Sequence, residues 1–335
     1  MKTWQLEKTG REHLQLIDQP KPEPGPEQIL VRTQAVSLNY RDNAIVEGSY
    51  PLPVIFPLVP GSDLAGEVVA VGSNVTRFKL GDKIVSLYKQ KWLSGVPTPE
   101  ANGASLGSTL PGVLAEYVLF PEAGALSYPD YLTPSQASTL PIAAVTAWVA
   151  LFAHGQLRPK ETVLVQGSGG VSIIGLQLAI AHGARVIATS RSEQKIARLK
   201  QLGASEVIDT SKNPAWEEEV LRLTEGRGVD HVLEVIGGDA VPRSIKASTW
   251  GGHVAVIGFM DVQSTTIAIP PILGKALRVH GVTVGSRQNM EDTLGFLERH
   301  RIKPVVDAVY DFNALPDALD HLDRGPFGKI VIEAR

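Results

Sequence analysis

Hydrophobic positions along the chain fall into three regimes. Over residues 1–125 they form short runs: Leu14–Asp18, Gln28–Val36, Gly66–Val71 and Lys83–Leu87 read as strands. The proline-rich Gln19–Pro26 separates the first two, and Gly61, Gly66, Gly72 and Gly81 punctuate the set. Short strands broken by glycines predict a small barrel. Residues 89–113, with Gly, Pro and Ser, interrupt the pattern and read as a long surface loop, after which Leu114–Phe120 resumes as a strand. A helical stretch follows over Thr133–Leu157, entered through a Thr133 N-cap and a first-turn Pro134.

From residue 161 strand and helix alternate. Thr162–Gln166 is a short apolar run suited to a buried parallel strand, Gly167-Ser168-Gly169-Gly170 is a tight turn, and Val171–His182 has helical periodicity. Val171, Ile174, Gly175, Leu178 and Ala181 share one face, and Gly183 sits at the C-cap position. Strands at Arg185–Thr189, Glu206–Ile208, Val229–Val235, His253–Ile257 and Val279–Val284 alternate with helices over 196–202, 216–223 and 240–249. That order predicts a doubly wound parallel sheet, hence an α/β fold. A helix at Asn289–Arg299 and a strand at Phe327–Ile332 close the chain. The expected domains are a β-barrel over 1–125, a nucleotide domain over 126–285 and a return segment over 286–335.

A glycine turn between a strand and a helix brings backbone N–H groups and a helix N-terminus against a pyrophosphate, because glycine has no Cβ in the way. Gly167, Gly169, Gly170 and Val171 are therefore candidate dinucleotide contacts, although Ser172 replaces the third glycine of the usual spacing. The second strand ends in Thr189-Ser190-Arg191-Ser192, with no acidic residue to accept from a ribose 2′-hydroxyl. Ser190, Arg191 and, one turn on, Lys195 suit a 2′-phosphate, which favours NADP over NAD. Ser190 or Ser192 can equally cap the next helix, with Ser190 and Glu193 at capping-box spacing; the two roles are compatible.

Composition narrows the classes. The 335 residues suffice for two domains, and 43% hydrophobic with 20% charged residues is ordinary for a soluble globular protein. A formal charge of −3 provides no basic footprint, so no nucleic-acid partner is expected. The longest apolar run, Leu140–Ala153, is short for a membrane span and contains Pro141 and Thr146, so no membrane partner is expected either. The opening MKTWQLEKTG lacks the apolar core of a signal peptide, which points to the cytoplasm. The absence of cysteine removes disulfides, thiolate nucleophiles and sulfur-ligated zinc. The eight histidines, His13, His154, His182, His231, His253, His280, His300 and His321, show no metal-like spacing and read as structural; Glu217–Glu219 reads as a solvated helix face.

Asn39-Tyr40-Arg41-Asp42, Pro60–Gly66, Val71-Gly72, Gly81-Asp82, Thr146-Ala147-Trp148 and Gly203-Ala204 follow in an order that resembles the zinc-free, quinone oxidoreductase-like branch of the medium-chain dehydrogenase/reductase superfamily. Val165–Ser172 and Val284–Arg287 look more like a subgroup labelled NAD(P)-dependent alcohol dehydrogenase, in which Ser after Gly-Gly-Val is habitual. The resemblance spans essentially the whole chain. It implies a GroES-like β-barrel catalytic domain joined to a Rossmann NADP-binding domain, and a zinc-independent transfer of hydride from NADPH to a small enone, quinone or carbonyl. Reversible alcohol/aldehyde oxidoreduction, or a non-catalytic, crystallin-like NADPH-binding role, are the alternatives.

In zinc-dependent relatives of this kind the metal sits on Cys, His with a neighbouring Glu, and Cys; those places hold Asn39, Ser62 with Asp63, and Ile142 here, so no metal is expected. By the same resemblance Asn39 lies against the nicotinamide ribose and counts, with Tyr40 and Tyr50 as possible proton donors, among the catalytic candidates. Asp42 is structural. Thr146 and the turn amides meet the cofactor, Gly258, Phe259 and Met260 end a strand at the nicotinamide edge, and Ser286, Arg287 and Lys329 bound it. An apolar sheet edge at Val279–Val284, which would be a liability if left open, further predicts a homodimer.

Overall fold

The structure is a computed structural model that describes residues 1–261 and 264–334. It divides into two compact units, Met1–Val145 with Gly285–Arg335, and Thr146–Val284. Met1–Val145 carries β1 (Lys2–Leu6), β2 (Leu14–Asp18), β3 (Gln28–Ser37), β4 (Asp63–Val71), β5 (Lys83–Ser86), β6 (Tyr117–Pro121) and β7 (Ala125–Ser127). The second unit carries β8 (Thr162–Gln166), β9 (Arg185–Ser190), β10 (Glu206–Asp209), β11 (Val229–Glu234), β12 (Ser248–Val256) and β13 (Arg278–Gly281). Gly285–Arg335 adds β14 (Val306–Asp311) and β15 (Lys329–Glu333) to the first unit.

In the first unit the strand order is β14-β15-β3-β4-β5-β7, with β6 also paired to β3. All these pairings are antiparallel except β14 with β15. The ten-residue β3 is the hub, since it pairs with β4, β6 and β15 along its length. Its Ile29, Val31 and Val36 pack with Leu64, Val68, Ile84, Phe120, Ile330 and Ile332 in one buried cluster. Fully burying one such side chain stabilises the fold by about 1.5–3 kcal/mol before entropy is counted.

The first unit extends to Val145 and not to 125, because β7 pairs with β5 and the helical turns from Pro134 pack on β3 and β4. The helix that begins there runs Pro134–Ala153. Thr133 and Gln136 complete its capping box, with Pro134 in the first turn as expected. By length and composition it could cross a membrane, being longer than the apolar run within it, yet 78% of its most apolar window is buried in the protein.

Residues 89–113 depart from the expected surface loop. Lys89, Gln90, Trp92, Ser105, Leu106, Ser108 and Val113 are buried, and Pro99–Gly103 is a short helix capped by Thr98. Lys89 Nζ donates to Asn102 O and to Ser105 Oγ, and Gln90 Nε2 donates to Leu87 O and Gly124 O. Polar composition suggested exposure, but these side chains turn inward to satisfy backbone carbonyls.

The second unit is the expected parallel sheet, in the order β10-β9-β8-β11-β12-β13. The helix Gly170–Ala181 packs tightly on it, for a Cβ at Gly175 would stand 2.4 Å from Leu233 Cδ1. Neighbouring strands also gather histidines that look unrelated in the sequence. His231 on β11 lies in register with His253 on β12, and His253 Nε2 is 3.0 Å from His280 Nδ1 on β13. His154 stacks edge-on to His280, with ring centroids 5.1 Å apart.

Candidate functional site

In the second unit the buried β8 delivers the chain into the glycine turn. Gly167 adopts φ 70°, and a Cβ on Gly167 or Gly169 would meet nothing within 4 Å, so the turn borders open space beside a twelve-residue helix. Backbone N–H groups at the start of such a helix form an anion cradle. Ser172 has a local purpose: its Oγ donates to Gln166 O at 2.7 Å, tying the first helical turn to the strand end. Gly167 N donates to Thr189 Oγ1 at 3.2 Å, which joins the ends of β8 and β9.

At the end of β9, Arg191 is exposed and Lys195 half-buried, while Ser190 is buried. The expected Ser190–Glu193 capping box does not form. Ser192 is the N-cap without a side-chain cap bond, and Ser190 Oγ accepts from Ser192 N at 3.2 Å because the chain turns before the helix begins. Beyond β11, the fully buried Glu234 accepts from Gln166 Nε2 and Ser244 Oγ on one oxygen and from Ile236 N and Gly237 N on the other. Its carbonyl accepts from Ile257 N and Gly258 N, so one residue fixes the loops that follow β11 and β12. Gly258 and Phe259 are half-buried there and Met260 is exposed; Thr146 is buried in the same unit.

In the first unit, Asn39 caps the helix Tyr40–Glu47 through a capping box with Asp42, whose Oδ2 accepts from Asn39 N at 2.8 Å. This helix is absent from the sequence-based expectations, although the Asn-x-x-Asp spacing of residues 39–42 is its signal. The Asn39 side chain spans two charges. Lys329 Nζ donates to Asn39 Oδ1 and to Leu38 O, each at 2.6 Å, and Asn39 Nδ2 donates to Asp63 Oδ2 at 3.0 Å. Lys329 Nζ and Asp63 Oδ2 are 4.0 Å apart, and Ile142 N donates to the same carboxylate oxygen at 3.3 Å.

Burial pushes the Asp63 carboxyl up to about 6, against the opposing pull of Lys329 and the Asn39 bond. Burial likewise lowers Lys329, with Asp63 and Asp42 holding its proton on. Every partner of Lys329 accepts and every partner of Asp63 Oδ2 donates, so the network suits the charged pair at neutral pH. Asp63 Oδ1 is buried without a partner.

Arg41 fills the neighbouring space. Its guanidinium donates to Ser62 Oγ, Leu106 O and Gly107 O and lies 5.2 Å from the Tyr50 ring and 4.9 Å from the Tyr88 ring. Tyr40 is 43% exposed at the first position of its helix. Burial raises the Tyr88 hydroxyl to about 12, Arg41 opposing. Ser286 is a helix cap bonded to Asn289, and Arg287 turns inward to Glu291 and Ala123 O, which leaves Nη2 buried without a partner. Ser286, Arg287 and Lys329 are thus tied within the first unit, and sequence reasoning missed Asp63 as the carboxylate that joins Asn39 to Lys329.

Two family models match the chain: an alcohol dehydrogenase GroES-like domain over residues 25–130 and a zinc-binding dehydrogenase over 170–299. A zinc-type alcohol dehydrogenase-like protein of Schizosaccharomyces pombe is 39% identical over 95% of this chain and 96% of its own. The chain belongs to the medium-chain dehydrogenase/reductase superfamily. The crystal structure of a putative alcohol dehydrogenase from Sinorhizobium meliloti, 45% identical, superposes with a TM-score of 0.95 over 99% of this chain and 98% of that one. A quinone oxidoreductase of Rattus norvegicus is 29% identical over 93% of this chain and 90% of its own. This dehydrogenase/reductase has the GroES-like domain and the Rossmann-like parallel sheet of that superfamily, and is an NAD(P)-dependent oxidoreductase.

The open glycine cradle fits the pyrophosphate of such a cofactor. By resemblance Asn39, Ser62 with Asp63, and Ile142 stand at the superfamily's zinc place, where they form a poor donor set for zinc and only Asp63 Oδ1 is a buried oxygen without a partner. Asn39 Oδ1 already accepts from an ammonium, Ser62 Oγ from a guanidinium and Asp63 Oδ2 from two N–H groups. Ile142 has no ligating atom on its side chain, and among the described residues no group of three His, Cys, Asp or Glu side chains could hold a metal ion.

Proposed function

We propose that this protein is a zinc-independent, NADPH-dependent oxidoreductase that reduces a small enone, quinone or carbonyl compound. The observation that carries the reading is the buried Lys329 ammonium, 4.0 Å from Asp63 and bonded to Asn39, which supplies a positive charge beside two of the residues that by resemblance stand for zinc ligands. NADPH, when bound, supplies a hydride. The chain then has to stabilise the charge that grows on the acceptor oxygen, which without a Lewis acid falls to hydrogen-bond donors. Asn39 Nδ2 and the hydroxyls of Tyr40 and Tyr50 are the candidates. Conjugated acceptors suit such a site, because carbon takes the hydride and the resulting enolate can be protonated by solvent. Exposed Arg191, four residues before Lys195 and with no acid at the end of β9, supports the 2′-phosphate of NADP.

The test is NADPH oxidation over a panel of quinones, enones, aldehydes and ketones, with and without a strong chelator, alongside elemental analysis. Multiple turnover that is unchanged by chelation is expected. Stoichiometric zinc with activity lost on chelation would overturn zinc independence, and tight NADPH binding with no acceptor turned over would favour a non-catalytic binding role.

A further inference from the structure

The orientation of the Asn39 carboxamide is set by charge. With Oδ1 on the Lys329 ammonium and Nδ2 on the Asp63 carboxylate, both contacts pair a donor with an acceptor. A flipped amide would set NH2 against NH3+ and C=O against COO−, two repulsive contacts in a buried place. Lys329 and Asp63 are 6% and 0% exposed, so solvent offers little compensation. Nδ2 carries two hydrogens, of which Asp63 takes one. Asn39 is itself half-buried, and its backbone is fixed by the capping box with Asp42.

We infer that Lys329 and Asp63 are positioning residues that lock the Asn39 carboxamide in one orientation, so that its second Nδ2–H is presented to an oxygen acceptor. Lys329 therefore acts through Asn39, with its own ammonium held inside the unit. The oxygen is the carbonyl of the reduced substrate. The catalytic half of the inference rests on the function proposed above, whereas the orientation half does not. Removing the ammonium leaves a buried carboxylate without its countercharge, which favours protonated Asp63. A protonated Asp63 can donate to Oδ1, and the flipped amide then becomes allowed.

The experiment uses the full protein labelled with 15N at asparagine, the Asn39 side-chain pair being assigned by its loss in Asn39→Ala. Wild type should give one pair at pH 7, with one hydrogen protected from exchange. Lys329→Met should give a doubled or exchange-broadened pair, and Lys329→Arg should restore the single one. In parallel, kcat/KM for an acceptor found in the panel should fall about tenfold or more in Lys329→Met, the scale of one lost hydrogen bond to a charged group, and recover in Lys329→Arg. Its acid limb should also move to higher pH. An unchanged NADPH Kd is expected, and a parallel loss in Kd overturns the assignment of the oxygen to the substrate. If Lys329→Met does not fold, Lys329→Gln serves the same comparison, because a neutral carboxamide can meet Asn39 as donor or acceptor and so allows both orientations. An Asn39 pair identical to wild type in the folded variant overturns the inference. Failure of wild type to turn over any acceptor overturns the functional reading alone, and the spectra still decide the orientation.

Discussion

The histidine row should make the nucleotide-binding unit acid-labile, with His253 the dominant group. Its ring is fully buried, bonded to His280 and without a partner at Nδ1. Burial, then the neighbouring His231 and His280, with Arg278 and His154 beyond them, push it from 6.5 down to about 3. His231 is lowered as well, by burial against the opposing pull of Glu161, and Asp230 also faces it. For a histidine whose folded value is depressed, the unfolded chain binds the proton first, so stability is full above about 6.5 and is lost as pH falls toward 3. One such group removes roughly 0.8 kcal/mol at pH 6 and about 2 kcal/mol at pH 5 relative to pH 8, from RT ln(1 + 10^(6.5 − pH)).

Asp63 works in the other sense: its raised value lets the folded state take up a proton as pH falls through about 6, which offsets part of the loss. His253→Gln separates the two, because it leaves Asp63 untouched and keeps a polar group near His280. Denaturant midpoints measured for wild type and variant from pH 8 to pH 5 should differ by a constant above pH 7. Below that the gap should close by about 2 kcal/mol in favour of the variant by pH 5. Parallel curves across the whole range would show that His253 is protonated as easily in the folded protein as in the unfolded chain, and the burial argument would fail.

Arg191→Ala should weaken NADPH binding on the order of 10- to 150-fold, by loss of a charge-assisted contact, and leave NADH nearly unchanged in a fluorescence titration; equal losses for both would make Arg191 structural. Glu234→Gln replaces one acceptor oxygen with an amide nitrogen among four donors, so a cost of roughly 2–4 kcal/mol is expected in denaturant melts, with NADPH affinity falling as the loops after β11 and β12 loosen. A melt within 0.5 kcal/mol of wild type, about the ordinary surface-substitution range, would refute that role. β13 is an edge of its sheet, and we propose that a second copy covers it; sedimentation at micromolar concentration should show a dimer, and a clean monomer would refute it.

Hydrophobic period, caps and glycine turns act between residues a few positions apart, so they are legible in the chain itself. Thr162–Gln166, Trp216–Leu223 and the Thr133-Pro134 helix entry match the structure for that reason, and so does the parallel order of the nucleotide unit. The motifs also gave the family. Tertiary structure alone decided which distant polar groups meet. Asn39 and Lys329 are 290 residues apart, and the three strands that carry His231, His253 and His280 must pair before those rings touch. The interior of residues 89–113 was hidden for the same reason: whether Lys89 faces water or a backbone carbonyl depends on what folds over it, and the cost of burying a charge is set by its partners and not by its neighbours in sequence.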